Sequence, residues 1–164
     1  MKPRDSDPVQ AASRYRPTVA AIVRNAAGEI LVCERSDRPG AWQFPQGGVD
    51  GGESREEALV RELGEEISLN PGDIGIVSSK GPYRYHYPSG FTKDGCCGTE
   101  QFYFLVDLKG RESTVNVATR HPEFHAAKWI APADFDPGWL PANKREVYRT
   151  VMGDFFGIDL AKFR

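Results

Sequence analysis

Short apolar segments rich in β-branched residues dominate the first part of the chain and predict β-strands. Two of them, residues 17–25 and 29–35, flank a turn of small and polar residues at 25–28, which is the pattern of a β-hairpin. A third, shorter segment at residues 42–44 ends at Pro45, which cannot donate a hydrogen bond to a neighbouring strand. The chain is therefore expected to begin with a hairpin and one short additional strand.

The pattern changes after a glycine-rich segment at residues 47–52. Ser54, with Glu57 three residues later, has the spacing of a capping box, so a helix is expected to begin there. The Asn-Pro-Gly sequence at 70–72 predicts that this helix has ended. Beyond it, four segments predict strands and a last amphipathic segment predicts a helix: residues 73–79, 83–87, 100–108 and 124–131, and then 142–156. This order of elements predicts an α/β protein with helices packed on a mixed sheet.

Composition adds a bound on size and on ligands. The 164 residues are 40% hydrophobic and 27% charged, which is typical of one globular domain with a buried core. Residues 1–14 are polar and carry charges of both signs, so they predict a flexible arm before a single domain at 15–164. The net charge of −2 provides no general attraction for nucleic acid, so a polyphosphate must be held by a few local Arg or Lys side chains.

The apolar runs and the cysteines bear on the cellular compartment. The longest strongly apolar run, residues 102–106, is far too short to cross a bilayer. We therefore expect no membrane association and a cytoplasmic location. Cys33, Cys96 and Cys97 are odd in number and form no Cys-x-x-Cys pair, so free thiols in a reducing compartment are expected.

The helix that begins at Ser54 has an apolar stripe and, beside it, a cluster of carboxylates. Residues three and four positions apart are neighbours on a helix. The stripe comprises Leu59, Val60, Leu63 and Ile67, and the adjoining face carries Glu62, Glu65 and Glu66. Like charges at these spacings repel by roughly 0.2–0.5 kcal/mol per pair. The helix dipole disfavours each anion near the C-terminal end by a further ~0.3–1 kcal/mol.

A solvated acidic face does not explain this arrangement well, because the helix has no lysine to offset the repulsion. A bound divalent cation removes both the repulsion and the conflict with the helix dipole. Mg²⁺ takes oxygen ligands and is commonly held by carboxylates together with substrate phosphates. The sequence therefore predicts a Mg²⁺ site on this helix, with Mn²⁺ as the alternative ion.

The stretch from residue 47 to residue 69 resembles the Nudix box of the Nudix hydrolases. The matching positions are, in order, Gly47, Glu53, Arg61, Glu62, Leu63, Glu65, Glu66 and Leu69. Ser68 departs from the pattern, because the family usually has a glycine there for the turn after the helix, and we expect residues 70–72 to supply the helix exit instead. The resemblance implies the Nudix fold, an α/β/α sandwich with a mixed central β-sheet, and metal-dependent hydrolysis of a phosphoanhydride bond.

The resemblance also implies a role for each charged position of the box. The implied metal ligands are the backbone carbonyl of Gly47 and the carboxylates of Glu62, Glu65 and Glu66. Arg61 would orient these carboxylates, and Glu53 would support Arg61 from behind. All five side chains are therefore expected to belong to the catalytic machinery.

The flanking segments resemble one branch of the family, the bacterial RNA 5′-pyrophosphohydrolases and asymmetric dinucleoside tetraphosphate hydrolases. The matching segments are residues 15–17, 42–48, 98–101, 122–124 with Trp129, and 144–148. Position by position, this branch implies that Glu123 is the general base, that Arg16 and Arg35 bind substrate phosphates, and that Tyr85 approaches the phosphate chain. Trp42 and Phe44 form either a base-stacking platform or part of the core, and the sequence leaves both interpretations open.

Three departures from the branch concern the substrate. Asn143 stands where an aromatic residue is common, Phe102 where a lysine is common, and the tryptophan usual near Pro82 is missing. The favoured hypothesis is removal of pyrophosphate from 5′-triphosphorylated RNA or hydrolysis of dinucleoside polyphosphates. A Nudix hydrolase of a small nucleotide (a nucleoside triphosphate, ADP-ribose or a nucleotide sugar) is the alternative. A non-catalytic nucleotide sensor is disfavoured, because no glutamate of the box is missing.

Overall fold

A computed structural model describes residues 14–160 of the protein. Its strands are β1 (Tyr15–Arg24), β2 (Ile30–Arg35), β3 (Trp42–Gln43), β4 (Gln46–Gly48), β5 (Ile74–His86), β6 (Gly98–Leu108) and β7 (Phe124–Ile130). Its helices are α1 (Arg55–Ile67) and α2 (Ala142–Phe156). The arm predicted at residues 1–14 lies, except for Arg14, outside the described residues, and the division into arm and domain stays a prediction.

Within the described residues the strands form one mixed sheet. The order is β3-β2-β1-β6-β5, with β4 paired to β1 and β7 paired to β2. β1 and β6 run parallel, from Tyr15 opposite Gly98 to Arg24 opposite Asp107, and the other pairs are antiparallel. The predicted mixed sheet is therefore confirmed.

The two helices cover opposite faces of this sheet. Successive side chains of a strand point to opposite faces, so Val19 and Ala21 of β1 pack under α1, whereas Ala20 and Ile22 pack under α2. The core under α1 contains Leu59, Leu63, Ile67, Phe104 and Val106, and the core under α2 contains Tyr103, Leu105, Tyr148, Val151 and Met152. This arrangement is the predicted α/β/α sandwich. Neither helix of residues 14–160 is long and apolar enough to span a membrane.

The two strands expected at residues 73–79 and 83–87 are one continuous strand, β5. Pairing with β6 continues on both sides of Gly81 and Pro82, and the register shifts between Lys80 and Tyr83. Gly81 has a φ of +155°, and a Cβ at this position would lie 2.8 Å from the ring of Phe102. The glycine and proline therefore mark an irregularity in the strand, where the sequence had indicated a break.

Helix α1 begins as expected and ends differently. The Ser54 hydroxyl accepts a hydrogen bond from the Glu57 N–H at 3.1 Å, and the Glu57 carboxylate accepts one from the Ser54 N–H at 3.2 Å, which is the predicted capping box. The helix exit, however, is made by Ser68 and not by residues 70–72. Ser68 adopts the left-handed conformation with a φ of 65°, and its hydroxyl donates to the Asn116 carbonyl at 2.8 Å. This hydrogen bond helps hold a conformation that usually favours glycine.

Replacing Leu63 by alanine tests the packing of α1. Leu63 is 1% exposed and lies in the core between α1 and the sheet. Leu63→Ala should lower the free energy of unfolding by about 2–5 kcal/mol, because buried contacts are lost and a cavity remains. Ile76→Ala is the control, since Ile76 is 43% exposed on β5 and should cost less than about 1 kcal/mol. Equal losses for the two variants in urea titrations would contradict this packing.

Candidate active site

A cleft of about 1170 Å³ opens where β1 and β6 begin, between the C-terminal half of α1 and the N-terminus of α2. Eight of the residues singled out from the sequence line it: Arg16, Arg35, Gly47, Glu62, Glu65, Glu66, Tyr85 and Glu123. They come from distant parts of the chain and are brought together by strand pairing. Thr18 of β1 lies opposite Gly48 of β4 on one side and opposite Gln101 of β6 on the other.

Gly47 lets the carboxylate of Glu62 approach the backbone of β4. A Cβ at position 47 would overlap the Glu62 carboxyl group, so no other residue fits without moving that side chain. This contact explains in steric terms why the Nudix-box pattern has a glycine at position 47. The glycine lets the Glu62 carboxylate lie beside the backbone of β4.

Arg61 holds the carboxylates of the site from behind. Its guanidinium donates two hydrogen bonds to Glu53, at 2.7 and 3.1 Å, and one to the Gly48 carbonyl at 2.8 Å. It also reaches Glu62 at 2.9 Å and Glu65 at 3.3 Å. These contacts raise the pKa of Arg61 above its ordinary value, chiefly through the hydrogen bonds with Glu53. Arg61 and Glu53 do not line the cleft, but Arg61 contacts Glu62 and Glu65, which do.

Glu66 is a buried carboxyl group with an unused oxygen. The residue is 7% exposed, and its Oε2 atom has no hydrogen-bond partner. Burial raises the pKa of Glu66 well above its ordinary value, and the neighbouring carboxylates of Glu62 and Glu123 raise it further. A carboxyl group in such surroundings is ionised only if a positive charge lies beside it.

The donor set fits a divalent cation such as Mg²⁺, because carboxylate and backbone oxygens are the ligands that such hard ions take. Within residues 14–160, no three His, Cys, Asp or Glu side chains already converge as a metal shell. Arg61 Nη1 instead bridges Glu62 and Glu65 in this arrangement. The Arg61 guanidinium thus supplies positive charge beside the carboxylates of Glu62 and Glu65. Glu66 is not bridged in this way.

The rest of the cleft is lined by cations that sequence reasoning identified only in part. Arg16 and Arg35 were expected, and the structure adds Arg38, Lys93, Arg120 and Lys144. Arg16 lies over Gly48, where a Cβ would come within 2.5 Å of its Nη2 atom. Arg35 is oriented by two hydrogen bonds to Asp37, at 2.7 and 2.9 Å. Lys144 lies in the segment 144–148, which resembles the branch, and this resemblance was the signal in the sequence that could have identified it as a cleft residue.

A chain of side-chain amides and hydroxyls connects the cleft with the core. The Tyr103 hydroxyl donates to Gln101 Oε1 at 3.0 Å, and Gln101 Nε2 donates to Gln46 Oε1 at 2.7 Å. Because Gln46 accepts through its oxygen, its own NH₂ group is left as a donor at the cleft. Neither glutamine was identified from the sequence as a site residue, although both lie in segments that matched the branch.

Trp42 and Phe44 do not line the cleft. Phe44 is fully buried and stacks on Tyr148 with ring centroids 5.2 Å apart, so it cannot bind a base and belongs to the core. Trp42 packs against Trp139, and Lys128 Nζ lies 4.2 Å from the centre of its ring. The sequence left open whether these residues form a base-stacking platform or part of the core. Phe44 is part of the core, and Trp42 lies outside the cleft.

The remaining site residues come from the rim. Glu123 is exposed immediately before β7 and faces the cleft. Tyr85 is 9% exposed, and burial raises the pKa of its hydroxyl. Asn143 stands where the branch usually has an aromatic residue, and its side-chain NH₂ donates to the His86 carbonyl at 2.9 Å. It ties the start of α2 to the end of β5 beside the cleft.

Replacing Gly47 by alanine should weaken divalent-metal binding. The new Cβ would displace the Glu62 carboxylate, so the Mn²⁺ dissociation constant should rise by about 10- to 100-fold in calorimetric titrations. Gly51→Ala is the matched control, because a Cβ at position 51 meets nothing within 4 Å. Unchanged Mn²⁺ affinity in Gly47→Ala would refute the placement of Glu62 against this glycine.

Lys144 should titrate at an unusually low pH. Burial, followed by the nearby positive charges of Arg35 and Arg38, lowers its pKa from 10.5 to about 8. The charged amine therefore opposes folding below pH 8, and this effect disappears as the pH rises from 8 to about 10.5. A titration of the lysine Cε resonances by NMR should show one midpoint near 8 that is absent in Lys144→Arg. A midpoint at the ordinary lysine value would contradict the buried, cationic surroundings.

Comparison with known proteins identifies the family of the chain. The family model described as "NUDIX domain" matches residues 14–151. An RNA pyrophosphohydrolase of Shewanella frigidimarina is 38% identical, with 90% of this chain and 88% of that protein covered. An RNA pyrophosphohydrolase of Haemophilus influenzae is 37% identical, with 88% and 76% covered.

Solved structures show the same fold at lower sequence identity. A C. elegans Ap4A hydrolase in a binary complex is 21% identical and superposes with a TM-score of 0.62, covering 87% of this chain and 99% of that one. The E. coli dihydroneopterin triphosphate pyrophosphohydrolase is 18% identical with a TM-score of 0.61, covering 86% and 96%. Nudix hydrolases generally depend on a divalent metal ion, as the carboxylates of α1 require. The chain therefore belongs to the Nudix family and is a Nudix pyrophosphohydrolase.

Proposed function

We propose that the protein removes pyrophosphate from 5′-triphosphorylated RNA ends and also hydrolyses dinucleoside polyphosphates, with Mg²⁺ as its metal. The observation that carries this proposal is the cleft itself, in which carboxylates of α1 face several Arg and Lys side chains. Carboxylates on one side of the cleft and Arg and Lys side chains on the other suit a polyphosphate, because its phosphates need both a metal ion and direct contacts with cations. The RNA pyrophosphohydrolases that are 37–38% identical over most of this chain support the RNA end as substrate. Such a substrate is consistent with a cytoplasmic location.

We assign metal binding and phosphate binding to different residues of the cleft. Glu62, Glu65 and Glu66, with the Gly47 carbonyl, would hold the metal, which supplies charge neutralisation on the phosphate oxygens and activation of water. Arg16, Arg35 and Lys144 would bind the phosphates around the cleaved bond, and the NH₂ group of Gln46 adds a neutral donor. Their contacts keep the phosphorus atom in a fixed orientation for attack.

Glu123 would accept the proton of the attacking water. It reaches the cleft from the segment before β7, independently of α1, and lies close enough to raise the pKa of Glu66. As the water oxygen bonds to phosphorus, the phosphoanhydride P–O bond breaks and the water proton passes to the Glu123 carboxylate. The products from an RNA end are pyrophosphate and a 5′-monophosphorylated RNA.

A second candidate is hydrolysis of a small nucleotide such as a nucleoside triphosphate, ADP-ribose or a nucleotide sugar. The observation that favours it is Asn143, which stands where an aromatic residue is common in the branch and instead donates a hydrogen bond to the His86 carbonyl. The net charge of −2 also provides no general attraction for a long RNA. Both candidates use the same carboxylates.

Parallel turnover assays with Mg²⁺ separate these candidates. The substrates are a short 5′-triphosphorylated RNA, diadenosine tetraphosphate, ADP-ribose and a mixture of nucleoside triphosphates. We expect kcat/KM to be highest for the RNA or for diadenosine tetraphosphate, with ADP-ribose hydrolysed poorly. Preference for ADP-ribose or for free nucleoside triphosphates would replace the proposal by the second candidate.

Glu66→Gln should abolish most of the turnover. The substitution keeps the shape of the side chain but removes the charge that a metal would neutralise, so kcat/KM should fall by at least about 10²-fold. Glu56→Gln is the matched control, because Glu56 is exposed on the first turn of the same helix and should retain full activity. Full activity in Glu66→Gln would refute its catalytic assignment. Nucleotide binding without turnover in the wild type would point to a sensor.

A further inference from the structure

Three aromatic rings follow one another along the wall of the cleft that lies away from the carboxylates. Tyr85 and Tyr87 are at the end of β5, with ring centroids 6.4 Å apart and planes at 80°. Tyr87 and Phe91 are 5.5 Å apart with planes at 90°. All three line the cleft. The series ends at Phe91, the outermost of the three rings.

Phe91 is exposed although it is a large apolar residue. Its exposed fraction is 54%, and the other exposed large apolar residues of the described chain, Ile76 and Val77, lie on β5 outside the cleft. Phe91 is thus a large apolar side chain that is both exposed and part of the cleft lining. Aromatic faces exposed in this way stack on nucleobases.

The segment that carries Phe91 has a defined backbone structure. The Phe91 N–H donates to the Pro88 carbonyl at 2.9 Å, and Gly90 between them has a φ of +81° that closes this turn. Lys93 and Cys96 exchange two backbone hydrogen bonds, at 2.9 and 3.1 Å, across a tight two-residue turn. The ring is therefore held at the cleft by turns on both sides of it.

The position of the ring fits the length of a nucleotide. Strand pairing leads from Arg16 on β1, across Thr99 of β6, to Tyr85 on β5. These two strand spacings correspond to about 9.5 Å, and Tyr87 and Phe91 lie beyond Tyr85. A polyphosphate that starts at the carboxylates and passes Arg16 would bring its nucleoside to these rings.

The charges along this path also suit a nucleotide. Arg16 stands between the carboxylates and the rings, and Lys93 lines the cleft two residues beyond Phe91. Aromatic and cationic side chains in alternation bind the bases and the phosphates of one ligand together. Trp42 and Phe44, which the sequence had offered as a stacking platform, do not line the cleft.

We propose that Phe91, in perpendicular contact with Tyr87, is a stacking shelf for a nucleobase of the substrate. The inference rests on the proposed function, because it requires a nucleotide in the cleft, and it adds the residue that recognises the base. The nucleobase belongs to the 5′ end of an RNA or to a dinucleoside polyphosphate, and the experiment below distinguishes these sources.

The kinetic test compares Phe91→Ala, Phe91→Leu and Phe91→Trp with the wild type. Loss of the ring should raise KM for 5′-triphosphorylated RNA and for diadenosine tetraphosphate by about 5- to 150-fold, with little change in kcat. Leucine keeps apolar volume without a π face and should not restore KM, whereas tryptophan should. The inhibition constant of inorganic tripolyphosphate, which has no base, should be the same in all variants. Val77→Ala is the control for an exposed apolar residue outside the cleft.

A binding test gives a readout that does not depend on catalysis. RNA 5′-triphosphates with 2-aminopurine at position 1 or at position 2 should lose fluorescence on binding the wild type, because stacking quenches this base. Quenching that is absent in Phe91→Ala supports the shelf, and the position that responds identifies the base. A KM for diadenosine tetraphosphate that rises in Phe91→Ala shows that a dinucleotide uses the same shelf.

The results that would overturn the inference are equally specific. Equal quenching by the wild type and Phe91→Ala, or an equal rise in the inhibition constant of tripolyphosphate, would show that Phe91 has no contact with a base. If the wild type hydrolyses neither RNA ends nor diadenosine tetraphosphate, the proposed function fails. The fluorescence data alone then test whether a nucleobase stacks on Phe91.

Discussion

A carboxyl group buried beside other carboxyl groups is stable as an anion only next to a positive charge, and this constraint governs the architecture around Glu66. The side chain is 7% exposed with one oxygen unpaired, and Glu62 and Glu123 add negative charge next to it. The fold tolerates this concentration of charge because Arg61 neutralises part of it and Gly47 leaves room for the Glu62 carboxylate. Glycine loop, arginine and acidic helix are thus parts of one electrostatic arrangement, completed by a divalent ion.

The sheet gives this arrangement its second side. Parallel pairing of β1 with β6 places Arg16 opposite Thr99, and antiparallel pairing of β6 with β5 places Thr99 opposite Tyr85. Cationic and aromatic side chains therefore face the carboxylates across a cleft that no single segment of the chain could form. The hydrogen-bond chain from Tyr103 through Gln101 to Gln46 joins this cleft to the core under α2. Because Gln101 is 1% exposed, its orientation is fixed by buried partners.

Much of the fold followed from local patterns. The capping box at Ser54 and the apolar stripe of α1 have the predicted structure, because helix capping and amphipathic periodicity are read within a few residues. The exit of the same helix did not follow. Ser68 takes the left-handed conformation itself and is held there by Asn116, a residue 48 positions away. The break expected at Gly81 and Pro82 is likewise overridden by pairing with β6. In both cases a distant partner decides the backbone conformation.

The sequence alone determined the chemical identity of the catalytic helix. The spacing of its glutamates and arginine is a property of one helix, so periodicity was sufficient to place them together. Only the tertiary structure decided which aromatic and basic residues meet them. Phe44, which the sequence had offered as a base-stacking residue, is fully buried, whereas Phe91, which the sequence did not single out, is 54% exposed in the cleft. Burial depends on packing between segments far apart in the chain, and no local pattern contains that information.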